Sequence, residues 1–190
     1  MPRVTSHAEV DWNGNVLVEY ADEGITQLYQ ISRKCAKQSE LFSTIILSQS
    51  RNTYHKAEQI SIPIRPIKLD IVDLVMEYME YHEFVQPTII DKPLTGKLEN
   101  IVDGWDYAFF TTHFSPIGSM GGTRTLLAVL AAAHYLSIQS LVDFCCAAVA
   151  SLMKGKTPER LREMFNLADD FTPPERKRLE SEASICNGDG

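Results

Sequence analysis

Three short stretches of the chain alternate apolar and polar positions, and most of the remaining patterned sequence repeats on a helical period. In "NVLVEYA" Val16, Val18 and Tyr20 fall on one side and Leu17 and Glu19 on the other, the period of a strand. "ITQLYQIS" follows the turn signal "DEG" at 22–24 and predicts the second strand of a hairpin. Ser32 precedes "RKCAKQ" and Ser39 precedes "ELFSTIIL", each placed to accept a first-turn N–H as an N-cap; Leu41, Ile45 and Ile46 share one face of the second helix. "QISIPI" alternates again, with Ile60, Ile62 and Ile64 together. Pro63 has no N–H for a ladder, so this strand lies at an edge or ends there. In "IKLDIVDLVMEYMEYHEF" Ile71, Leu74, Val75, Tyr78 and His82 recur at helical spacing, with Asp70, Asp73, Glu77 and Glu80 largely opposite.

Residues 85–103 read as a mixed loop, and "VDGWDYAFF" as a short helix carrying Trp105 and Phe109. "TTHFSPIGSMGGTR" contains proline and glycines, and 111–124 is expected to be a flexible insertion. Four helices follow: "TLLAVLAAAHYL", "SIQSLVDFCCAAVASLMKG", "TPERLREMFNL" and "TPPERKRLESEAS". Ser137 is the expected N-cap of the second of these, and Gly155 its left-handed stop. The predicted class is α/β. Residues 1–14 form a flexible terminus, 15–136 a small sheet covered by helices, and 137–186 an all-helical extension.

Composition narrows the partners. Of 190 residues 44% are hydrophobic and 23% charged, and the net charge is −7, which argues against nucleic acid or an anionic membrane as the main partner. The cysteines are Cys35, Cys145, Cys146 and Cys186, with no C-x-x-C pair, so no disulfide framework is expected and a reducing compartment is. Neither a signal-peptide pattern nor a run of about 18 apolar residues occurs. A cytoplasmic or nuclear protein is the expectation.

Candidate chemistry is thin. "GKT" at 155–157 ends like a phosphate-binding P-loop, but that loop needs glycine five positions earlier, where Ala150 stands, and a strand before it. Every letter fits a joint between helices instead. Gly155 ends one helix, Lys154 and Lys156 suit its negative end, Thr157 caps the next, and Pro158 takes its first position. "GSMGG" lacks dinucleotide-loop spacing. His7, His55, His82, His113 and His134 form no ligand pattern, so no metal is expected. Cys145 and Cys146 read as buried small hydrophobes, and no serine sits in a nucleophile elbow. Neither catalysis nor a cofactor is expected.

The apolar excess of the last third is the unusual feature. Ile138, Leu141, Val142, Cys145, Val149 and Leu152 form one broad stripe, widened by Phe144, Cys146, Ala148 and Met153; Leu161, Met164, Phe165 and Leu167 follow. Periodicity alone leaves two readings open, a compact helical core or a surface awaiting a partner, and leans slightly to the first.

The segment "YLSIQSLVDFCCAAVASLMKGKTPERLREMFNLADDFTPPE" (135–175) resembles the SCF ubiquitin-ligase adaptor family, the S-phase kinase-associated (SKP) proteins. "KGKTPE-x-[LI]-R-x-x-F-N" followed by "DDFTPPE" is the most distinctive part. "DGWDYAFF", "CAKQSELFSTII" and "ISIPI" are similar to the family's W-D-x-x-F segment, helix entry and third strand. The resemblance implies a BTB/POZ-type three-stranded sheet covered by helices, with a C-terminal helical extension. It implies a non-enzymatic adaptor bridging a cullin to F-box proteins, or, as the alternative, a scaffold subunit of another assembly such as a kinetochore complex.

Residue by residue, the resemblance assigns Leu126, Leu130, Val142, Cys146, Val149, Met153, Leu161, Phe165 and Leu167 to the F-box groove. Tyr135 matches a tyrosine at the cullin contact; His134 stands where the family usually has asparagine. Ile185 stands where a tryptophan usually clamps the F-box. Pro173 matches a proline that some unicellular members hydroxylate and glycosylate, although Thr172, Pro173 and Glu175 also fit an N-cap, a first helical position and a capping box. A weak homodimer of the free chain through its apolar helical surface is also implied.

Overall fold

In the computed structural model, which describes residues 3–4, 15–22, 25–52, 61–64, 67–94 and 96–186, the alternating stretches pair as an antiparallel hairpin. The strands are β1 (Arg3–Val4), β2 (Asn15–Asp22), β3 (Ile25–Ser32) and β4 (Ser61–Ile64), in the order β1-β3-β2-β4. The sheet thus has four strands where three were expected. The added one lies in the segment predicted to fray: Arg3 pairs with Tyr29 and Val4 with Leu28. The rest of 1–14, part of the turn at 22–24, Ile60 and the side chains of Ile62 and Ile64 lie outside the described residues. β4 runs parallel to β2, with Pro63 opposite Glu19, and it is the edge strand that its proline requires. A parallel pair needs a long crossover. Helices α1 (Arg33–Ala36) and α2 (Glu40–Asn52) lie within it.

Val16, Val18, Tyr20, Tyr29 and Ile31 point to one side of the sheet and join a continuous buried cluster. Helix α3 (Leu69–Tyr81) contributes Ile71, Val72, Val75, Met76, Tyr78 and Met79 to the same cluster. Leu17 is also fully buried, so β2 is covered on both faces and not only on the side its alternation marks. Ser32 and Ser39 act as the expected caps, accepting from Cys35 N at 2.9 Å and Phe42 N at 3.1 Å. The Ser39 hydroxyl also donates to Leu136 O at 2.5 Å, and Glu40 N donates to Ser137 O at 3.2 Å. These bonds lock the start of α2 to the turn between α5 (Met120–Tyr135) and α6 (Gln139–Met153).

That turn corrects one expectation. Ser137 is not the N-cap of α6; it has φ of 54° and closes α5. Ser137 N bonds His134 O and Ile138 N bonds Ala133 O, the paired bonds by which a left-handed residue ends a helix. A connection this short has room for one stop residue, so the serine serves the helix before it rather than the one after.

A second correction concerns 111–124. Helix α4 (Gly104–His113), capped by Asp103, runs to His113, and α5 already begins at Met120. Most of the predicted flexible insertion is therefore helical, joined by a short corner at 114–119. Phe114 is buried, and Ser119 caps α5 by accepting from Gly122 N at 3.1 Å. Gly122 is required here: a Cβ on it would lie 2.8 Å from Pro116 O and closer still to Phe114 O. The loop at 85–103 is anchored by a 3-10 turn at Leu98–Asn100 with Leu98 and Val102 buried. His82 ties its start, with Nδ1 3.0 Å from Val85 O and Nε2 2.9 Å from Asp106 Oδ1.

Candidate functional site

The last third of the chain is three helices. α6 ends as its sequence dictates, because Gly155 takes φ of 72°, which L side chains rarely adopt. Thr157 accepts from Arg160 N at 3.3 Å and Pro158 opens α7 (Pro158–Phe165). Asn166, at φ of 52°, closes α7, with Leu167 N bonded to Arg162 O at 2.8 Å. α8 (Pro173–Cys186) then starts at the second Thr-Pro signal.

Electrostatics fix the segment between α7 and α8. Asp169 takes Arg176 Nη2 at 2.5 Å and lies 3.9 Å from Arg162 Nε. The hydrogen bond from Arg176 holds its carboxyl below the usual range. Arg162 also stacks over Phe171 at 5.4 Å. Glu159 is lowered first by its backbone N–H bond at the α7 terminus, and Glu175 first by the Thr172 hydroxyl. The Glu175 carboxylate accepts from both Thr172 N and Thr172 Oγ1, at 2.8 and 2.6 Å, so it reaches back as expected.

Positions 142, 146, 149 and 153 lie on one stripe of α6. Val142 and Val149 are half-buried against the core, while Cys146 and Met153 are exposed. On α7 Leu161 and Phe165 are half-buried, and Leu167 just beyond is 59% exposed. Phe165 lines a hollow of about 190 Å³ with Met120, Thr123, Leu127 and Met164. Leu167 lines a neighbouring one of about 410 Å³ with Met120, Arg162 and Asp169. Met120 and Asn166 belong to both, so Phe165 and Leu167 sit on one continuous concave strip.

Leu126 is a correction: it is 0% exposed and belongs to the core beneath this face. Its neighbour Leu127, 38% exposed, points outward. One residue is a 100° step on a helix, so the outward side of α5 carries Leu127 and Ala131, with Leu130 half-buried between faces. Met120 and Leu127 line these hollows without any mark in the sequence, because their exposure is decided by packing; the adjacent leucine pair is the one available signal. Cys146, read as a buried hydrophobe from composition, is exposed, whereas Cys145 is buried. The side chain of Ile185 lies outside the described residues. Pro173 is exposed as the first residue of α8.

His134 and Tyr135 stand exposed at the last turn of α5. Tyr135 borders an apolar hollow of about 350 Å³ formed with Ile67, Ile71, Ala128 and Ala132. Apolar surface is therefore exposed towards both ends of α5.

Burial pushes the Cys35 thiol up from 9.0 to about 12 and raises Cys145 as well, so neither forms a thiolate nucleophile. Among the described residues no group of three or more His, Cys, Asp or Glu side chains is arranged to hold a metal ion. No described helix is long and apolar enough to cross a membrane.

Residues 139–186 match the family model "Skp1 family, dimerisation domain". The chain is 33% identical over 157 residues to the "S-phase kinase-associated protein 1 homolog" of Tetrahymena thermophila, covering 82% of this chain and 86% of that protein. It is 32% identical over 138 residues to "SKP1-like protein 11" of Arabidopsis thaliana, covering 70% and 80%. It is 31% identical over 130 residues to "SCF ubiquitin ligase complex protein SKP1a" of Dictyostelium discoideum, covering 68% and 74%.

Proposed function

The chain belongs to the Skp1 family, and from that membership we propose that it is a non-catalytic adaptor subunit of an SCF-type cullin–RING ubiquitin ligase, bridging a cullin to F-box substrate receptors. The observation that carries this reading is the apolar side chains that α6 and α7 leave outward, both helices lying within the segment similar to the family model. Val149, Met153, Phe165 and Leu167 leave apolar surface that their own helices cannot cover. An amphipathic partner helix gains roughly 25 cal/mol for each Å² of apolar area it removes from water there.

The mechanism is two interfaces on one small protein. The F-box helices seat on this apolar surface, with Leu130, Val142 and Leu161 half-buried at its base and Cys146 exposed on it, and Ile185 stands where the family usually has a clamping tryptophan. Leu126 acts beneath the strip by holding α5 in place. The cullin meets His134 and Tyr135 at the far end of α5. The complex works in the cytoplasm or nucleus. When no partner is present, the same apolar strip supports a weak homodimer.

Affinity purification of the native protein, followed by mass spectrometry, tests the reading. F-box proteins and a cullin are expected in the eluate, and loss of both classes contradicts it. His134, in place of the family's usual asparagine, favours a second reading, a scaffold subunit that binds an F-box-like partner without a cullin. A stoichiometric partner with no cullin would select it. Pro173 is a candidate for hydroxylation and glycosylation, tested by intact mass: added oxygen or sugar supports it, and an unmodified mass dismisses it.

A further inference from the structure

A cleft of about 380 Å³ opens between the α6–α7 hinge, the middle of α4, the 3-10 turn at Leu98–Asn100 and the corner before α5. Its rim carries Lys97, Lys154, Lys156 and Arg160 against a single carboxylate, Glu99. That carboxylate is already engaged, 3.6 Å from Lys97 Nζ and within 3.5 Å of the Tyr107 hydroxyl. Arg160 pairs with Glu163 at 2.7 Å, leaving its charge half-committed at the surface. Lys154 and Lys156 have no carboxylate partner among the described residues, and both are exposed on either side of Gly155. In a chain of net charge −7 this is a local reversal of sign. The floor is different in kind: Phe110 and Met164 are buried and Leu152 is half-buried, so apolar surface lies beneath the cations.

We infer that this cleft is a binding site for an acidic peptide segment of a partner protein, one that carries carboxylates flanking an apolar anchor residue. A cationic rim over an apolar floor matches such a segment on both counts. A small polyanion would find partners only at the rim and would leave Phe110 and Leu152 unused. The first-turn N–H groups of α7 add nothing, because Thr157 and Glu159 already occupy them. The position supports a partner segment as occupant, since Met164 of α7 lines both this cleft and the hollow beside Phe165. The peptide chemistry rests on the cleft alone; its assignment to an adaptor's partner rests on the function proposed above.

The test is a two-dimensional 1H–15N NMR titration of the full chain with a blocked peptide of two aspartates, a leucine, a phenylalanine and two glutamates. Shifts are expected at Leu98, Tyr107 and 151–160, with affinity falling as salt rises from about 50 to about 200 mM. Lys154→Glu with Lys156→Glu, at exposed positions that leave the core untouched, should lower affinity at least about tenfold. Val149→Glu, on the neighbouring strip, should leave it within about twofold, so loss of F-box capture and loss of cleft binding are separable. Shifts absent from the cleft, or affinity unchanged by the double reversal, overturn the proposal. An equal response to inorganic pyrophosphate, indifferent to replacing the leucine and phenylalanine by glycine, assigns a free phosphate ligand and also overturns it. So does peptide binding that appears only after residues 187–190 are removed, which would give the cleft to the chain's own tail.

Discussion

Gly121 and Gly122 are neighbours in the first turn of α5, and alanine should act with opposite sign at the two positions. At Gly121 the nearest atom to an added Cβ is Ser119 Oγ at 4.0 Å, so the methyl group enters open space. The substitution then removes unfolded-state freedom and should stabilise the chain by about 0.4–1 kcal/mol. At Gly122 the Cβ would meet Pro116 O at 2.8 Å and Phe114 C at 2.9 Å. These are backbone atoms of the corner and cannot rotate away. Relief requires moving α5 away from 114–116, which disturbs the buried Phe114. Overpacking of this kind costs about 1–3 kcal/mol, and contact with three backbone atoms puts Gly122 in the upper part of that range, so the same propensity gain leaves a net loss of up to about 2.5 kcal/mol. For a chain of this size each kcal/mol moves the melting temperature by about 2–4 °C. Urea unfolding followed by circular dichroism gives both values, with m unchanged if the native state keeps its compactness. A Gly122→Ala protein as stable as wild type, or both variants shifting in the same direction, would refute the ordered corner.

Other consequences are as direct. Asp106→Ala leaves His82 Nε2 buried without its 2.9 Å partner and should cost about 1–3 kcal/mol in urea unfolding. Iodoacetamide at about pH 8 should label Cys146 well before Cys35 or Cys145, because burial holds the latter two as thiols; peptide mass mapping reads the order. Glu175 is lowered in the folded chain, so its contribution is present above 4.5 and is lost as pH falls through the folded value. Glu175→Gln should therefore flatten the acid limb of thermal stability as pH falls below 4.5.

The parts of the fold legible in the sequence are those written in local chemistry. Ser32, Ser39, Thr157 and Gly155 do what their residue types require, because capping is decided within three or four positions. The errors come from tertiary context. Ser137 has the composition of an N-cap, yet the tight α5–α6 connection uses it as a left-handed stop. "SPIGSMGG" has loop composition, yet Ser119 caps a helix there and Gly122 is chosen for close approach rather than flexibility. Arg3–Val4 pairs only because β3 offers an open edge, which no local pattern announces. In the candidate site the α6 stripe was readable from its period, but the choice between Leu126 and Leu127 depends on how α5 is rotated about its axis. That rotation is set by α3, α6 and the core between them, which periodicity in one helix does not encode.

The adaptor account is tested most directly by reconstitution from purified parts. The chain, an F-box protein and a cullin are mixed and resolved by size-exclusion chromatography with light scattering. The account predicts an equimolar ternary complex. Val149→Glu should lose the F-box protein yet retain the cullin, and Tyr135→Ala should do the reverse. Failure of the wild-type chain to hold either partner, or loss of both partners from a Val149→Glu protein that is still folded, would contradict the account.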